Sequence, residues 1–282
     1  MNDYSQDIKQ QDIKKENICF PIKNFDEFTN GALYLHNLLQ HIFNGNIGAP
    51  VLEKLQTGAK VLQFGCEAGI WIDEVSTEYP NTEFYAVGFI QREESSENVK
   101  FIEFDVHKIQ PLPFSDDEFD LVFTRDHNCF FREECFQGYL IELFRVLKPG
   151  GYLEVGYQFN HDVIVGPSFT RLNEAWTSWF TANGINNDFI LHFEDYLEKT
   201  EKADSITHQI GNIPVGDNSC GEFYNDVALY YFKSVKEVMA PFMGMSFKEY
   251  DELINEIEKE FKGCGKVNFK QKRVFARKKF FL

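Results

Sequence analysis

The chain has 282 residues, with 28 lysines and arginines against 44 aspartates and glutamates, a formal net charge of −16. That balance argues against a phosphate backbone as the main partner, since such binding is carried by clustered Lys and Arg that displace counterions; no nucleic-acid partner is expected. Hydrophobic residues make up 43% and aromatics 16%, with 30 phenylalanines, so there is ample material for a core in one large domain, or in one domain with an appendage. Six cysteines without a CxxC pair read as reduced thiols. The start carries no basic segment followed by an apolar stretch, and no run approaches the roughly 18 apolar residues of a membrane span. The expectation is a soluble, cytoplasmic protein with no membrane partner, a nuclear location not being excluded.

Residues 1–24 are polar and without a sustained period, which predicts a flexible arm. Within 25–57, Leu33, Leu35, Leu38, Leu39 and Ile42 recur at helical spacing before a Gly-Asn-Ile-Gly-Ala-Pro break. From residue 60 short apolar runs alternate with helix-like segments. Strands are predicted at 60–64, 83–87, 99–104, 121–124 and 152–157, with helices at 69–78 and 135–147 among them. Such alternation implies βαβ units and a mainly parallel sheet, because parallel neighbours need a crossover. The helix over 135–147 is predicted to end at LKPGG, where Pro149 stops it and the two glycines permit a turn.

Beyond Gln158 helices are predicted over 168–183 and 189–197, a strand over 205–213, and helices over 222–239 and 246–261. The last of these opens with Ser246 as N-cap and Glu249 three residues on, the spacing of a capping box. The tail, 267–281, alternates as a final edge strand. Residues 25–282 thus divide into a core (58–158), a lid or substrate segment (159–203) and C-terminal helices and strands (204–282).

The strongest chemical signal is AKVLQFGCEAGIW, residues 59–71: a buried strand, a glycine-bearing turn and a helix. In open α/β sheets ligands sit at the carboxyl ends of the strands, and the first such turn brings backbone and helix N-terminus to them. Gly65 and Gly69 keep the spacing, and Glu67 stands between them. A two-glycine turn is by itself weak evidence for a nucleotide site.

Taken in order, VLQFGCEAGIW, YPNTEFYAVGF, NVKFIEFDV, LPFSDDEFDLVFTR and LFRVLKPGGYLEV resemble the class I S-adenosylmethionine-dependent methyltransferases, in particular a fungal branch of that family. The resemblance runs through 60–158, with HIFNGNIGAPV before it and NIPVG and SFKEYDELINE after it. It implies an α/β fold: a Rossmann-like seven-stranded, mainly parallel sheet with helices on both faces and an antiparallel final strand. It also implies S-adenosyl-L-methionine as cofactor and a small-molecule or protein acceptor. Gly65, Cys66, Glu67 and Gly69 would face the methionine part of the cofactor, Gly88 and Phe89 its ribose, Asp105 and Val106 its adenine; Thr124 and Arg125 would border the reacting methyl group.

The chain departs from the family pattern at Gln63 and Gly88, where an acidic residue is usual, and at Glu67, where glycine is. A lost charged hydrogen bond to the ribose costs about 1.5 to 3 kcal/mol. A chain that has lost cofactor binding this way would keep the fold as an interaction module, and that is the alternative reading. A nicotinamide dehydrogenase is disfavoured, because both the middle glycine and the acidic residue after the second strand are missing.

Remaining candidates are weaker. His127 and Asp126 lie where a general base would stand, imidazole titrating near neutral pH; a hydrogen-bonded loop histidine is the simpler explanation, as it is for His161 beside Asp162. His127, Cys129 and Cys135 lack a fourth ligand at suitable spacing, so no metal is expected. Trp176 and Trp179 suit an apolar acceptor wall, and core packing more readily. The basic run Lys270, Lys272, Arg273, Arg277, Lys278, Lys279 fits an edge strand guarded by lysines.

Overall fold

The computed structural model describes residues 22–66, 68–88, 96–104, 110–126, 133–159, 163–185, 187–216, 219–264 and 267–280. In chain order these form α1 (Phe25–Phe43), α2 (Leu52–Thr57), β1 (Lys60–Phe64), α3 (Ile70–Glu78), β2 (Glu83–Gly88), β3 (Val99–Glu103), β4 (Phe119–Arg125), α4 (Glu133–Val146) and β5 (Leu147–Gln158). There follow α5 (Pro167–Ala182), a short 3-10 segment (Asn187–His192), α6 (Phe193–Lys199), β6 (Ala203–Val215), α7 (Ser219–Ser234), α8 (Lys236–Phe242), α9 (Phe247–Gly263) and β7 (Val267–Lys278).

The strands make one seven-stranded sheet in the order β3-β2-β1-β4-β5-β7-β6. Pairing is parallel from β3 to β5, and β7 runs antiparallel to both β5 and β6. The Rossmann-like architecture implied by the motifs is thus present, its antiparallel last strand included. The chain winds outward from β1 to β3 and then resumes on the other side with β4. A crevice therefore opens between the C-terminal ends of β1 and β4, where ligands of such sheets bind.

Parallel strands covered on both faces read as continuous apolar runs, and the pleat sorts them. Leu62, Phe64, Val122, Leu153 and Val155 turn to the side packed by α4 and α6, with Phe144 and Phe193. Val61, Phe84, Leu121 and Phe123 turn to the side packed by α2 and α3, with Leu55, Trp71 and Val75. A third cluster joins α1, α5, α7, α8 and α9 above the β6–β7 end. Trp176 and Trp179 belong to it, stacked at 5.9 Å with Phe180 edge-on, so the pair is core packing.

The two most recognisable motifs prove to hold one another at the N-terminal end of the sheet. Asp120, from LPFSDDEFDLVF, is buried and accepts from the Lys60 backbone N–H and the Lys148 ammonium, each at 2.8 Å, and from Lys54. Arg145, from RVLKPGG, donates to Glu142 and Asp116 and to the carbonyls of Leu112 and Phe114. Gly151 lies so close to backbone that a Cβ would meet the Lys148 carbonyl oxygen at 2.9 Å. These residues tie β1, β4 and β5 together at the end remote from the crevice.

Several expectations need correcting. LKPGG is not a turn between elements: β5 already begins at Leu147, opposite Phe119, and the register shifts before Leu121 meets Tyr152, so the motif is a bulge inside the strand. The helix expected over 222–239 is two, broken at Val235. β7 is no edge strand. It lies between β5 and β6, and four of its cations are paired with acids: Arg273 with Glu154, Arg277 with Asp204, Lys278 with Asp117 and Lys272 with Glu194, while Lys270 is exposed. Of the expected arm, residues 1–21 lie outside the described residues; of its last three, Ile22 is buried and Lys23 and Asn24 donate to the Ser234 carbonyl. The capping box at Ser246 and Glu249 is formed as expected. Among the described residues no helix is long and apolar enough to cross a membrane.

Candidate functional site

The β1–α3 turn begins where Gly65 takes a left-handed φ of 75° and ends where Gly69, the N-cap of α3, takes 69°. A Cβ strains both conformations, which is why glycine stands there. Gly65 and Cys66 both donate to the Val87 carbonyl, at 2.8 and 3.2 Å, and Gly69 donates to that of Cys66. The turn is thereby moored to the end of β2, where Gly88 accepts from Phe104. Gly65, Cys66, Gly69 and Gly88 are thus neighbours at one end of the sheet. Glu67, Phe89, Asp105, Val106 and His127 lie outside the described residues, as do Cys129, His161 and Asp162. Cys135, on α4, packs against the core.

Across the crevice β4 ends in Thr124 and Arg125. Gln63, near the end of β1, and Thr124 are both buried, and Gln63 Oε1 and Thr124 Oγ1 have no hydrogen-bond partner among the described residues. Buried polar atoms are rarely left so, and a polar ligand between the two strands would account for them. Asp126 follows at φ 54°, its Oδ1 accepting from the Gln158 backbone N–H at 3.2 Å and Gln271 Nε2 at 3.0 Å. Burial pushes its pKa up, against Arg125 and these two donors. That oxygen fastens the end of β4 to β5 and β7.

A network around His36 and Glu74 that motif reading missed adjoins the site. His36, on α1, is fully buried and bonds Glu74 Oε2 of α3 through Nε2 at 2.6 Å, while its Nδ1 lies 3.4 Å from an Arg125 Nη. Glu74 also accepts from Gln40 and from Asn46 Nδ2, and Trp71 donates to the Asn46 carbonyl at 3.1 Å while stacking on Phe123 at 3.9 Å. The tautomer follows from the partners: the carboxylate only accepts and the guanidinium only donates, so Nε2 carries the proton and Nδ1 the lone pair. Desolvation first, and then Arg125, lower the pKa of His36 despite Glu74. For Glu74, burial raises the pKa, but the bonds from Asn46, His36 and Gln40 outweigh it and the net shift is downward. The helical spacing of α1 had marked this helix only as an amphipathic preface.

Because His36 is buried neutral, the unfolded chain binds its proton more readily than the folded one. Stability contributed by this group is therefore present above the unfolded value of 6.5 and lost as the pH falls below it. Glu74 adds a loss of the same sign at more acid pH. Urea unfolding at pH 7, 6 and 5 checks this: the wild type is expected to lose stability relative to the His36→Gln variant as the pH falls below 6.5.

Comparison with known proteins fits this geometry. Residues 36–199, more than half of the chain, match the family model described as a methyltransferase domain. The chain belongs to that family. Among solved structures, the chain is similar to Haemonchus contortus phosphoethanolamine N-methyltransferase 2 in complex with S-adenosyl-L-methionine (16% identity, TM-score 0.51, 94% of this chain and 61% of that one). It is also similar to the cyclopropane synthase MmaA2 from Mycobacterium tuberculosis (11%, 0.51, 90% and 99%) and to the YcgJ protein from Bacillus subtilis (16%, 0.50, 88% and 100%). At such identities the likeness speaks for the fold, and the chain spans about 61% of the length of the nematode enzyme. No curated protein sequence matches the chain.

Proposed function

We propose that this methyltransferase-family protein transfers a methyl group from S-adenosylmethionine to a small-molecule or protein acceptor. The observation that carries the reading is the β1–α3 turn: two left-handed glycines moored to β2 beside a switch point, with buried polar atoms near the ends of β1 and β4 that have no partner among the described residues. Such a turn lets a ligand approach the backbone where a Cβ would intrude. When bound, the cofactor supplies an electrophilic sulfonium methyl, so the protein need mainly hold an acceptor in line and exclude water. Gly65, Cys66 and Gly69 would line the methionine end and Gly88 the ribose, with Thr124 and Arg125 toward the methyl group; Glu67, Phe89, Asp105 and Val106 complete the set implied by the family motifs. Asp126, with its Oδ1 engaged by β5 and β7, serves this reading as a positioning residue rather than as a base.

Calorimetry with S-adenosylhomocysteine is the direct test. A dissociation constant in the micromolar range is expected, and undetectable binding at millimolar ligand would overturn the reading in favour of the fold kept as an interaction module, the outcome that Gly88 in place of an acidic residue would explain.

A further inference from the structure

Arg125 has no carboxylate oxygen within 4.0 Å among the described residues, and its hydrogen bond is the long one to the neutral His36 imidazole. The other enclosed arginines are matched with acids: Arg145 with Glu142 and Asp116, and Arg273 with Glu154 at 3.3 Å. Desolvation is the largest influence on Arg125 and lowers its pKa, countered through space by Asp126, Tyr231, Glu154 and Glu74. Each of those carboxylates is engaged elsewhere: Glu154 by Arg273 and the N–H groups of Gly48 and Ala49, Asp126 Oδ1 by Gln158 and Gln271, Glu74 by His36, Gln40 and Asn46.

Its placement is equally specific. The stem of Arg125 packs over Gly156 of β5, where a Cβ would come within 3.0 Å of Cγ, and the Glu74–His36 pair aims a lone pair, not a charge, at the guanidinium. The head is thus oriented at the end of β4 with its charge unmatched by contact among the described residues, and it keeps part of its surface accessible. A guanidinium offers parallel N–H donors that fit a carboxylate in two-pronged fashion.

From this geometry we infer that Arg125 seats the carboxylate of a small organic ligand bound across the ends of β1 and β4, a conclusion that rests on the methyl-transfer reading of the same crevice. The carboxylate has two sources, the acceptor or the methionine end of the cofactor. Three probes separate them in the full chain: S-adenosylhomocysteine, 5′-methylthioadenosine, which lacks the amino-acid end, and acetate against its neutral counterpart acetamide. In the wild type, acetate and not acetamide is expected to shift the side-chain Nε–H resonance of Arg125 saturably. If the cofactor supplies the carboxylate, Arg125→Gln weakens S-adenosylhomocysteine tenfold or more and leaves 5′-methylthioadenosine unchanged, and bound S-adenosylhomocysteine abolishes the acetate shift. If the acceptor supplies it, both nucleoside affinities are unchanged in Arg125→Gln and the acetate shift persists in the S-adenosylhomocysteine complex. Arg125→Lys, which keeps the charge and loses the fork, should fall between. The inference is overturned if acetate leaves the resonance unmoved and both nucleosides bind the variant as they bind the wild type. Failure of both nucleosides to bind the wild type would defeat the methyl-transfer reading alone, because the acetate titration without them still reports on the guanidinium.

Discussion

Glu154→Leu is expected to destabilise the protein by about 3–5 kcal/mol, the usual cost of removing one partner of a buried ion pair. Glu154 is fully buried in β5, holds Arg273 of β7 at 3.3 Å, and accepts from the backbone of Gly48 at 2.9 Å and of Ala49 at 2.8 Å. Its carboxylate gathers the central strands and the loop between α1 and α2 at one point. Burial raises its pKa, against the Arg273 charge and the two N–H donors. Without it Arg273 keeps its bond to the Gly45 carbonyl and its contact with the Phe43 ring but no carboxylate among the described residues, and the Gly48 and Ala49 N–H groups lose their acceptor. Urea denaturation of the single variant and of Glu154→Leu with Arg273→Met checks the cause. The double variant should regain part of the loss, since no buried charge is then stranded; a double variant weaker than the single one by the full cost of a second mutation would refute the pairing argument.

Trp71→Ala should cost about 3–5 kcal/mol as well, the range for deleting a buried large aromatic side chain. Trp71 is the second residue of α3, buried, lying flat on Phe123 of β4 at 3.9 Å and hydrogen-bonded to the Asn46 carbonyl. The indole therefore fixes three things at once: the angle at which α3 leaves the glycine turn, the end of β4, and the loop after α1. Trp71→Phe keeps a stacked ring and loses the indole N–H, so about 1 kcal/mol is expected for that variant. Chemical denaturation orders the two. Under the proposed function, affinity for S-adenosylhomocysteine should fall in Trp71→Ala more than in Trp71→Phe, because the turn is held from that helix.

The legible part of the chain was the part governed by local pattern. Alternating apolar runs placed the strands of the parallel region, since a strand covered on both faces must be apolar throughout. Ser246 and Glu249 announced the start of α9 because a capping box is made within four residues. The glycine turn was visible because left-handed backbone restricts residue type at single positions. Yet the motifs that carried the family resemblance, FDLVF and RVLKPGG, are built around Asp120, Lys148 and Arg145, which hold the sheet at the end away from the crevice. They identify the scaffold and say little of its chemistry.

What no local pattern contained was the pairing of distant polar residues. His36 lies 38 positions from Glu74 and 89 from Arg125, and Glu154 lies 105 from Ala49; only folding brings them within hydrogen-bond reach. The misplaced edge strand has the same origin. Lysines on a tail read as guards against aggregation until β6 pairs along the outer side of β7, leaving Lys272, Arg273 and Lys278 enclosed and matched with acids from other elements. Sequence alone determined the sequence of strands, the glycine turn and hence the kind of sheet, because steric and hydrophobic preferences act residue by residue. The tertiary structure decided which charges meet, and thereby that the guanidinium at the end of β4 is the one enclosed arginine left without a contacting acid among the described residues, because electrostatic partners are chosen by distance in space and not by distance along the chain.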